Sequence, residues 1–223
     1  MIKVSKLIIF SVFFVSIAFG SKIAVATKVK GLVEIMPIGK TEFFDLKAGT
    51  ILSDGDKIRT GKSGFVAIIF IDDKSTLKLK GDTEAVISGQ RTAASISKKI
   101  NMDSGTVRAT VNKQNTDFVI QTPTSVASVK GTDFWLVTDP VTGDQIICVE
   151  GTVGLVNAET GEEVDVTEGM SCISIPDGTL ELSETDPSSI PEDPSADQEG
   201  PSQIKIYLEG PNGEQKVMII EYQ

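Results

Sequence analysis

The sequence predicts an all-β protein, built as a single twisted β-solenoid-like or sandwich-like domain of many short strands. After residue 20, apolar and polar residues alternate with a period close to two, and no window keeps a helical spacing. Short β-branched segments are separated by turns rich in Gly, Asp and Asn. The content of 40% apolar and 23% charged residues is ordinary for a soluble globular chain.

The N-terminus predicts a secretory signal peptide over residues 1–20. Lys3 and Lys6 precede an apolar run from Leu7 to Phe19, and small residues allow cleavage after Gly20 or Ala26. An uncleaved anchor is the alternative, but the run is short of the roughly 20 residues that span a bilayer. No Cys lies before Cys148 to carry a lipid, so a periplasmic or secreted soluble protein is expected.

The β domain is predicted over residues 21–182. Its strands are expected at Ile23–Thr27, Leu32–Met36, Glu42–Leu46, Asp56–Arg59, Gly64–Ile71, Ser75–Lys80, Thr83–Ile87, Ala94–Asn101, Gly105–Val111, Phe118–Thr122, Ser125–Val129, Asp133–Thr138, Gln145–Glu150, Thr152–Asn157, Glu163–Thr167, Met170–Ile175 and Thr179–Leu182. A Gly-Thr pair followed by an aliphatic residue recurs at irregular intervals, at Gly49, Gly105, Gly151 and Gly178. Each pair predicts a corner, because Gly permits a positive φ and Thr then favours extended backbone.

The C-terminal region changes composition. Residues 183–203 are acidic and almost without apolar side chains, which predicts a disordered linker. Residues 204–223 predict a β-hairpin, with strands at Gln203–Glu209 and Gln215–Tyr222. Because a lone hairpin is marginal in water, it should either dock on the domain or add a strand to a partner.

The charge is divided unevenly along the chain. Residues 21–130 carry 17 Lys and Arg against 11 Asp and Glu, whereas residues 131–223 carry 2 against 20. The two halves could therefore attract one another, or the acidic half could stay solvated or recruit a basic partner or cations. The net charge of −10 argues against nucleic-acid binding.

Several segments, taken in order over about Ile23 to Gly178, resemble the FecR domain family of bacterial envelope proteins. Leu46 to Phe70 resembles the family's Gly-Asp-x-x-x-Thr-Gly signature, while Lys74 and Lys130 stand where Gly and Arg are usual. With Lys74 in place of Gly, the positive φ of that turn is in question or is taken by Asp73 instead. Lys130 keeps the positive charge of Arg but cannot form two parallel hydrogen bonds to a carboxylate. The motif residues are Gly49, Gly55, Asp56, Thr60, Gly61, Gly105, Thr122, Pro123, Lys130, Gly131, Thr132, Phe134, Gly151 and Gly169.

The resemblance implies a non-enzymatic envelope domain that works by contacting other proteins. The best-known members also have a cytoplasmic anti-sigma region, a membrane helix and a receptor-contacting domain, which are not found in this sequence. The chain more closely resembles stand-alone exported members, so their signalling relay is not expected to carry over.

The residue chemistry indicates no catalytic, cofactor or metal site. The chain has no His, which excludes triads and His-based zinc sites. The remaining enzymatic hypothesis is an acid-pair glycosidase, with candidates at Asp54/Asp56, Asp72/Asp73 and Asp139/Asp144. All lie in turns, where Asp commonly bonds the backbone, and none shows the EF-hand calcium pattern.

The only cysteines, Cys148 and Cys172, could form a disulfide in an exported protein. The alternative is two buried thiols. The sequence thus predicts a protein-interaction or envelope-sensing module with an unidentified envelope protein as partner. The main alternative is a glycan- or cell-wall-binding domain that uses Trp135, Tyr207 and Tyr222 for stacking.

Overall fold

The computed structural model describes residues 20–93, 95–113, 116–195, 202–209 and 215–222, and it is nearly all β. The predicted signal peptide therefore lies outside the described residues, except for Gly20. The first strands are β1 (Lys22–Lys30), β2 (Val33–Met36), β3 (Phe44–Asp45), β4 (Ile51–Ser53), β5 (Asp56–Thr60), β6 (Phe65–Phe70), β7 (Thr76–Leu79), β8 (Glu84–Arg91) and β9 (Ile96–Thr110). The later strands are β10 (Phe118–Gln121), β11 (Ser125–Val129), β12 (Asp133–Asp139), β13 (Gly143–Glu150), β14 (Thr152–Asn157), β15 (Glu163–Thr167), β16 (Met170–Ser174), β17 (Leu180–Glu184), β18 (Ser202–Glu209) and β19 (Gln215–Tyr222).

Hydrogen bonds join all the strands from β1 through β17 into one continuous sheet, which folds over at β9 to give two layers. The C-terminal part of β9 pairs with β7 and β12 in sheet A, whose order is β4-β1-β6-β7-β9-β12-β13-β16-β17. The N-terminal part pairs with β8 and β10 in sheet B, whose order is β3-β2-β5-β8-β9-β10-β11-β14-β15. Apart from the parallel pair β9/β10, the pairings are antiparallel.

One hydrophobic core lies between the two sheets. Phe70 of sheet A and Phe118 of sheet B meet edge to face, with ring centroids 5.7 Å apart. Alternate residues along each strand enter this core, as Phe134 and Leu136 do in β12, which is the pattern expected when one sheet face is buried. The predicted all-β, sandwich-like class is confirmed.

Gly105 marks the point where β9 passes from one sheet to the other. Its φ is +115°, and a Cβ at this position would lie 2.5 Å from the Cα of Thr83. The chain bends here without losing its ladder, so the two strands predicted at 94–101 and 105–111 are a single strand. Strand β4 is not among the predicted strands, because three residues between two turns carry too little alternation to detect.

The four Gly-Thr corners all have the predicted geometry. Gly49, Gly105, Gly151 and Gly178 have φ between +88° and +115°. After Gly49, Gly151 and Gly178 a new strand begins within two residues, whereas Gly105 lies inside β9. The corners therefore set where the chain reverses or changes sheet.

The prediction of a disordered linker over 183–203 is wrong for its first part. Strand β17 extends to Glu184, a 3₁₀ helix spans Pro187–Ser189, and residues up to Ser195 make specific hydrogen bonds to the domain. Residues 196–201 lie outside the described part. The acidic composition of this segment favoured disorder. It does not show that basic side chains elsewhere in the chain, such as Lys30 and Lys78, bind the segment.

The C-terminal hairpin, β18 and β19, forms its own two-stranded sheet, as predicted. It packs on the domain through side chains: Ile220 is buried, and Ile206 and Ile220 line a cavity together with residues of β1 and β4. Docking in cis, rather than an unattached hairpin, is the arrangement seen. Within the described part of the chain, no helix has the length and apolarity needed to cross a membrane.

Lys74 itself adopts the positive φ of its turn, at +65°. A left-handed conformation costs a non-Gly residue about 1–2 kcal/mol, which exceeds the entropic cost of introducing Gly. Lys74→Gly is therefore expected to raise the free energy of unfolding by about 0.5–1 kcal/mol, measured by urea denaturation. Lys62→Gly, in an exposed turn without a positive φ, should instead lower it, and equal effects of the two changes would contradict this explanation.

Candidate functional site

A row of directly paired residues crosses the outer face of sheet A. It takes one residue from each of six neighbouring strands of sheet A, in the order β6, β7, β9, β12, β13 and β16. These residues are Ala67, Lys78, Arg108, Trp135, Ile147 and Ser171. The neighbours of these residues along each strand point into the core, so the row itself faces outward. We call it the outer row.

The outer row contains apolar side chains that are buried. Trp135 is 2% exposed and Ile147 is 1% exposed, although neither belongs to the core between the sheets. Apolar side chains on an outward face that remain dry must be covered by another part of the molecule.

The cover is the segment 185–195, which we call the strap. At its start, the backbone N–H of Thr185 donates to the Gly169 carbonyl at 2.9 Å, and the Thr185 and Ser171 hydroxyls are 2.7 Å apart. Pro187 and Ile190 then line a small cavity of about 280 Å³ with Ile147. The strap thus runs along the outer row, across the strands.

The strap ends on a cluster of cations. Asp193 accepts from Lys78 Nζ at 2.7 Å and from Arg108 Nη1 at 2.9 Å, and Lys78 also donates to the Ser195 hydroxyl. Lys30 Nζ donates to the Pro194 carbonyl at 2.8 Å. These contacts join the acidic half of the chain to the basic half.

Arg108 links the strap to Trp135. Its guanidinium binds Asp133 through two parallel hydrogen bonds of 2.9 and 2.8 Å, binds Asp193 through a third, and lies 5.5 Å from the Trp135 ring centroid. Lys80 approaches the same ring at 5.7 Å. A cation held over an aromatic face adds attraction to the burial of the ring.

The electrostatics favour the closed strap. Burial alone would raise the pKa of Asp193, but the hydrogen bonds from Lys78 and Ser195 outweigh it and hold that pKa well below its usual range. The pKa of Arg108 is raised, chiefly by its hydrogen bonds to Asp133. Both groups are therefore charged and paired at neutral pH.

The strap should loosen in acid. Because the pKa of Asp193 is lower in the folded than in the unfolded state, its contribution is complete above about pH 4 and is lost as the pH falls below that value. We expect Asp193→Asn to lower the free energy of unfolding by about 2 kcal/mol at pH 7, and the difference from wild type to shrink below pH 4. A difference independent of pH would contradict the assignment.

The first family-motif residues, in the signature around residue 56, organise turns in sheet B. Asp56 is buried and accepts from the backbone N–H groups of Ser53 at 2.7 Å and Ile38 at 3.0 Å. The Thr60 hydroxyl donates to the Lys80 carbonyl at 2.5 Å, and Gly55 has a φ of +87°. The Gly61 N–H donates to the Leu32 carbonyl at 2.9 Å.

Comparison with known proteins matches this part of the chain to a family. Residues 56–154 match the model described as FecR protein. This part of the chain is therefore similar to the FecR family. The match covers less than half of the 223-residue chain, but β1 to β4 and β15 to β17 continue the same two sheets on either side of it.

The fold is similar to that of a solved protein. Two crystal structures of a proposed anti-sigma factor from Parabacteroides distasonis match with TM-scores of 0.50 and 0.49, each at 14% sequence identity. Each match covers 58% of this chain and 60% of that protein, so the likeness spans only part of its length and shows the fold alone. No curated protein sequence matches the chain significantly.

The remaining motif residues are placed mainly at corners between strands. Gly131 and Gly151 have positive φ, the Thr132 hydroxyl donates to the Thr152 carbonyl at 2.9 Å, and Phe134 is in the core. Gly169 also has a positive φ, and Pro123 is exposed. Lys130 is exposed and lies 3.2 Å from Asp117, a single contact in place of the fork that Arg could form.

Thr122 belongs to a buried polar cluster beneath the corner formed by Thr122 and Pro123. Asp144, 1% exposed, accepts hydrogen bonds from the hydroxyls of Thr122, Ser125 and Thr138. Thr122 in turn accepts from the Thr124 and Ser125 N–H groups at 3.1 and 2.9 Å. Through Asp144 of β13, these hydrogen bonds connect the corner that precedes β11 with strands β12 and β13.

The other candidate carboxylates have structural partners. Asp72 and Asp73 lie 2.9 and 3.0 Å from Nζ of Lys98, which is 1% exposed, so they neutralise a buried cation. Burial raises the pKa of Asp72, but Lys98 and the Ile96 N–H outweigh it and lower that pKa. Asp54 accepts from the Gly89 N–H, and Asp139 from those of Val141 and Thr142.

The disulfide expected between Cys148 and Cys172 is not present, and both residues are buried free thiols. Residue 172 pairs across the ladder with Ile146, so Cys148 lies diagonal to it. Such diagonal neighbours are farther apart than the Cβ separation of a disulfide, about 3.5–4.5 Å. Burial raises the pKa of the Cys148 thiol to about 11, which leaves it unreactive at neutral pH.

The aromatic groups expected to stack on glycans are arranged differently. Trp135 is 2% exposed, Arg108 and Lys80 lie over its ring, and the strap reaches its neighbours Ile147 and Arg108 in the outer row. The ring therefore presents no open face to a sugar. The side chains of Tyr207 and Tyr222 lie outside what the structure describes. Sequence reasoning missed the strap contacts of Lys78, Arg108 and Asp193, although the uneven charge of the two halves was a signal for them.

Proposed function

We propose that the chain is an exported, non-enzymatic interaction and sensing module of the bacterial envelope, and that the outer row is its interaction surface. The observation that carries this proposal is the cover of the outer row. A buried Trp and Ile on an outward sheet face are closed by an acidic strap from the same chain, held by Asp193 on Lys78 and Arg108.

The arrangement supports a surface that a partner protein reaches when the strap lifts. Trp and Arg are the side chains that most often dominate protein interfaces, and here they lie side by side. The ion pairs that close the strap are partly exposed, so they are weak enough to exchange for contacts with a partner. The match to the FecR family and the fold shared with a proposed anti-sigma factor agree with a regulatory role through protein contacts.

Export is part of the proposal because of the basic N-terminus and the short apolar run that follows it. The partner is then expected to be an envelope protein. The glycan-binding alternative gains no support, since its one Trp is covered.

The test uses the mature chain with Asp193→Lys, which repels Lys78 and Arg108 and should lift the strap. Pull-downs from envelope extracts should recover a protein more strongly with this variant than with wild type or with Glu192→Lys, a control with the same change of charge at an exposed strap residue. Adding Ile147→Glu to Asp193→Lys should abolish the gain, because it alters the surface itself.

Two outcomes would overturn the proposal. One is equal recovery by wild type and Asp193→Lys when circular dichroism shows both folded. The other is retention of every variant by insoluble cell-wall glycan alone, which would favour the glycan-binding alternative.

A further inference from the structure

A cavity of about 570 Å³ lies between the domain and the C-terminal hairpin. Residues of β1, β4, the β6–β7 turn and the β8–β9 connection form one side, and Ile206 and Ile220 of the hairpin form the other. Its size is within the range of about 300–1,000 Å³ that is usual for small-molecule sites.

The lining divides into an apolar wall and a cationic rim. The wall is made by Val25, Ile51, Ile71, Ile96, Ile206 and Ile220. The rim carries Lys22, Lys74 and Arg91, and Arg91 Nη1 donates to the Lys22 carbonyl at 3.2 Å, which keeps these two residues together. Asp72 is the only acidic residue of this described lining, and it is already bound to Lys98 and to the Ile96 N–H.

We infer that this cavity binds an amphipathic anion, a single-chain carboxylate of the fatty-acid type, with its hydrocarbon chain on the apolar wall and its carboxylate at the cationic rim. All three cations of the rim belong to the basic half of the chain, and the one acidic residue beside them is paired with Lys98. An apolar wall gives the affinity for a hydrocarbon chain, and clustered Lys and Arg select a carboxylate over a neutral or cationic head group.

The site goes beyond the proposed interaction surface, because it lies at the hairpin and uses none of the outer row. Its geometry links binding to hairpin docking, since the hairpin supplies Ile206 and Ile220. A ligand that binds only the docked arrangement stabilises it by mass action.

The experiment is calorimetric titration of the full mature chain with sodium dodecanoate below its micelle concentration. We expect one site per chain, no binding of dodecyltrimethylammonium, and weaker binding of dodecanol. Changing Lys22, Lys74 and Arg91 together to Gln should weaken dodecanoate binding by about tenfold or more. Changing Lys40, Lys62 and Lys113 to Gln, an equal loss of charge at exposed positions away from the cavity, should leave the affinity unchanged.

A second variant tests the apolar wall. Ile220→Asp should reduce dodecanoate binding at least as strongly as the change of the rim, while the circular dichroism of the β domain stays unchanged. The inference fails if dodecanoate does not bind, if it binds the rim variant or Ile220→Asp as tightly as wild type, or if dodecyltrimethylammonium binds equally well.

Discussion

Gly105→Ala is expected to lower the free energy of unfolding by about 4 kcal/mol or more, or to prevent folding. Two costs add at this residue. A φ of +115° is open to Gly and strained for any other residue, and the new Cβ would lie 2.3 Å from the Thr83 hydroxyl and 2.5 Å from its Cα. Because the second contact is with backbone, relief requires β9 to move away from the loop before β8, where the two sheets join.

The matched control is Gly161→Ala. Gly161 also has a positive φ, +71°, but a Cβ there would meet nothing within 4 Å. It should cost only about 1–2 kcal/mol, the penalty of the left-handed conformation. Chemical denaturation of both variants measures the difference, and equal losses would show that the close approach at Thr83 is not what makes Gly105 necessary.

Asp144→Ala is expected to cost about 3 kcal/mol. The change removes the buried acceptor shared by the hydroxyls of Thr122, Ser125 and Thr138 and leaves these groups without that partner in a dry site. The corner at Thr122-Pro123 should loosen as a result, which faster amide hydrogen exchange in β11 would reveal.

Asp139→Ala is the control, since Asp139 is exposed and bonds only the backbone of its own turn among the described contacts. Its expected cost is about 1 kcal/mol or less. These two residues were also one of the three candidate acid pairs, so the acid-pair glycosidase hypothesis makes a different prediction for them. It requires polysaccharide hydrolysis that both Asp139→Asn and Asp144→Asn abolish, whereas the structural roles require only the unequal losses of stability.

The sequence predicted the features that depend only on residues close together in the chain. The period-two alternation located most strands, and the Gly-Thr pairs marked corners where the backbone takes a positive φ. The joining of two predicted strands into β9 could not be predicted, because the bend at Gly105 keeps its ladder only when Thr83 lies beside it. That contact is made between residues distant in sequence.

The candidate site was less accessible to sequence reasoning. The unequal charge of the two halves suggested attraction, but the pairing of Asp193 with Lys78 and Arg108 depends on which strands are neighbours in sheet A. Likewise, the sequence does not show which sheet face Trp135 occupies. In the structure, strand parity places it on the outer face, where it is buried by cover rather than by the core.

Fluorescence quenching of Trp135 tests the central claim most directly, because it is the only Trp in the chain. The claim is that the strap, held through Asp193, closes the outer row. In wild type at neutral pH, acrylamide should quench Trp135 poorly, and Asp193→Lys should increase the quenching constant severalfold while circular dichroism shows the β domain intact. Glu192→Lys, the same change of charge at an exposed strap residue, should behave as wild type. A Trp135 that is equally protected in Asp193→Lys and wild type would contradict the account.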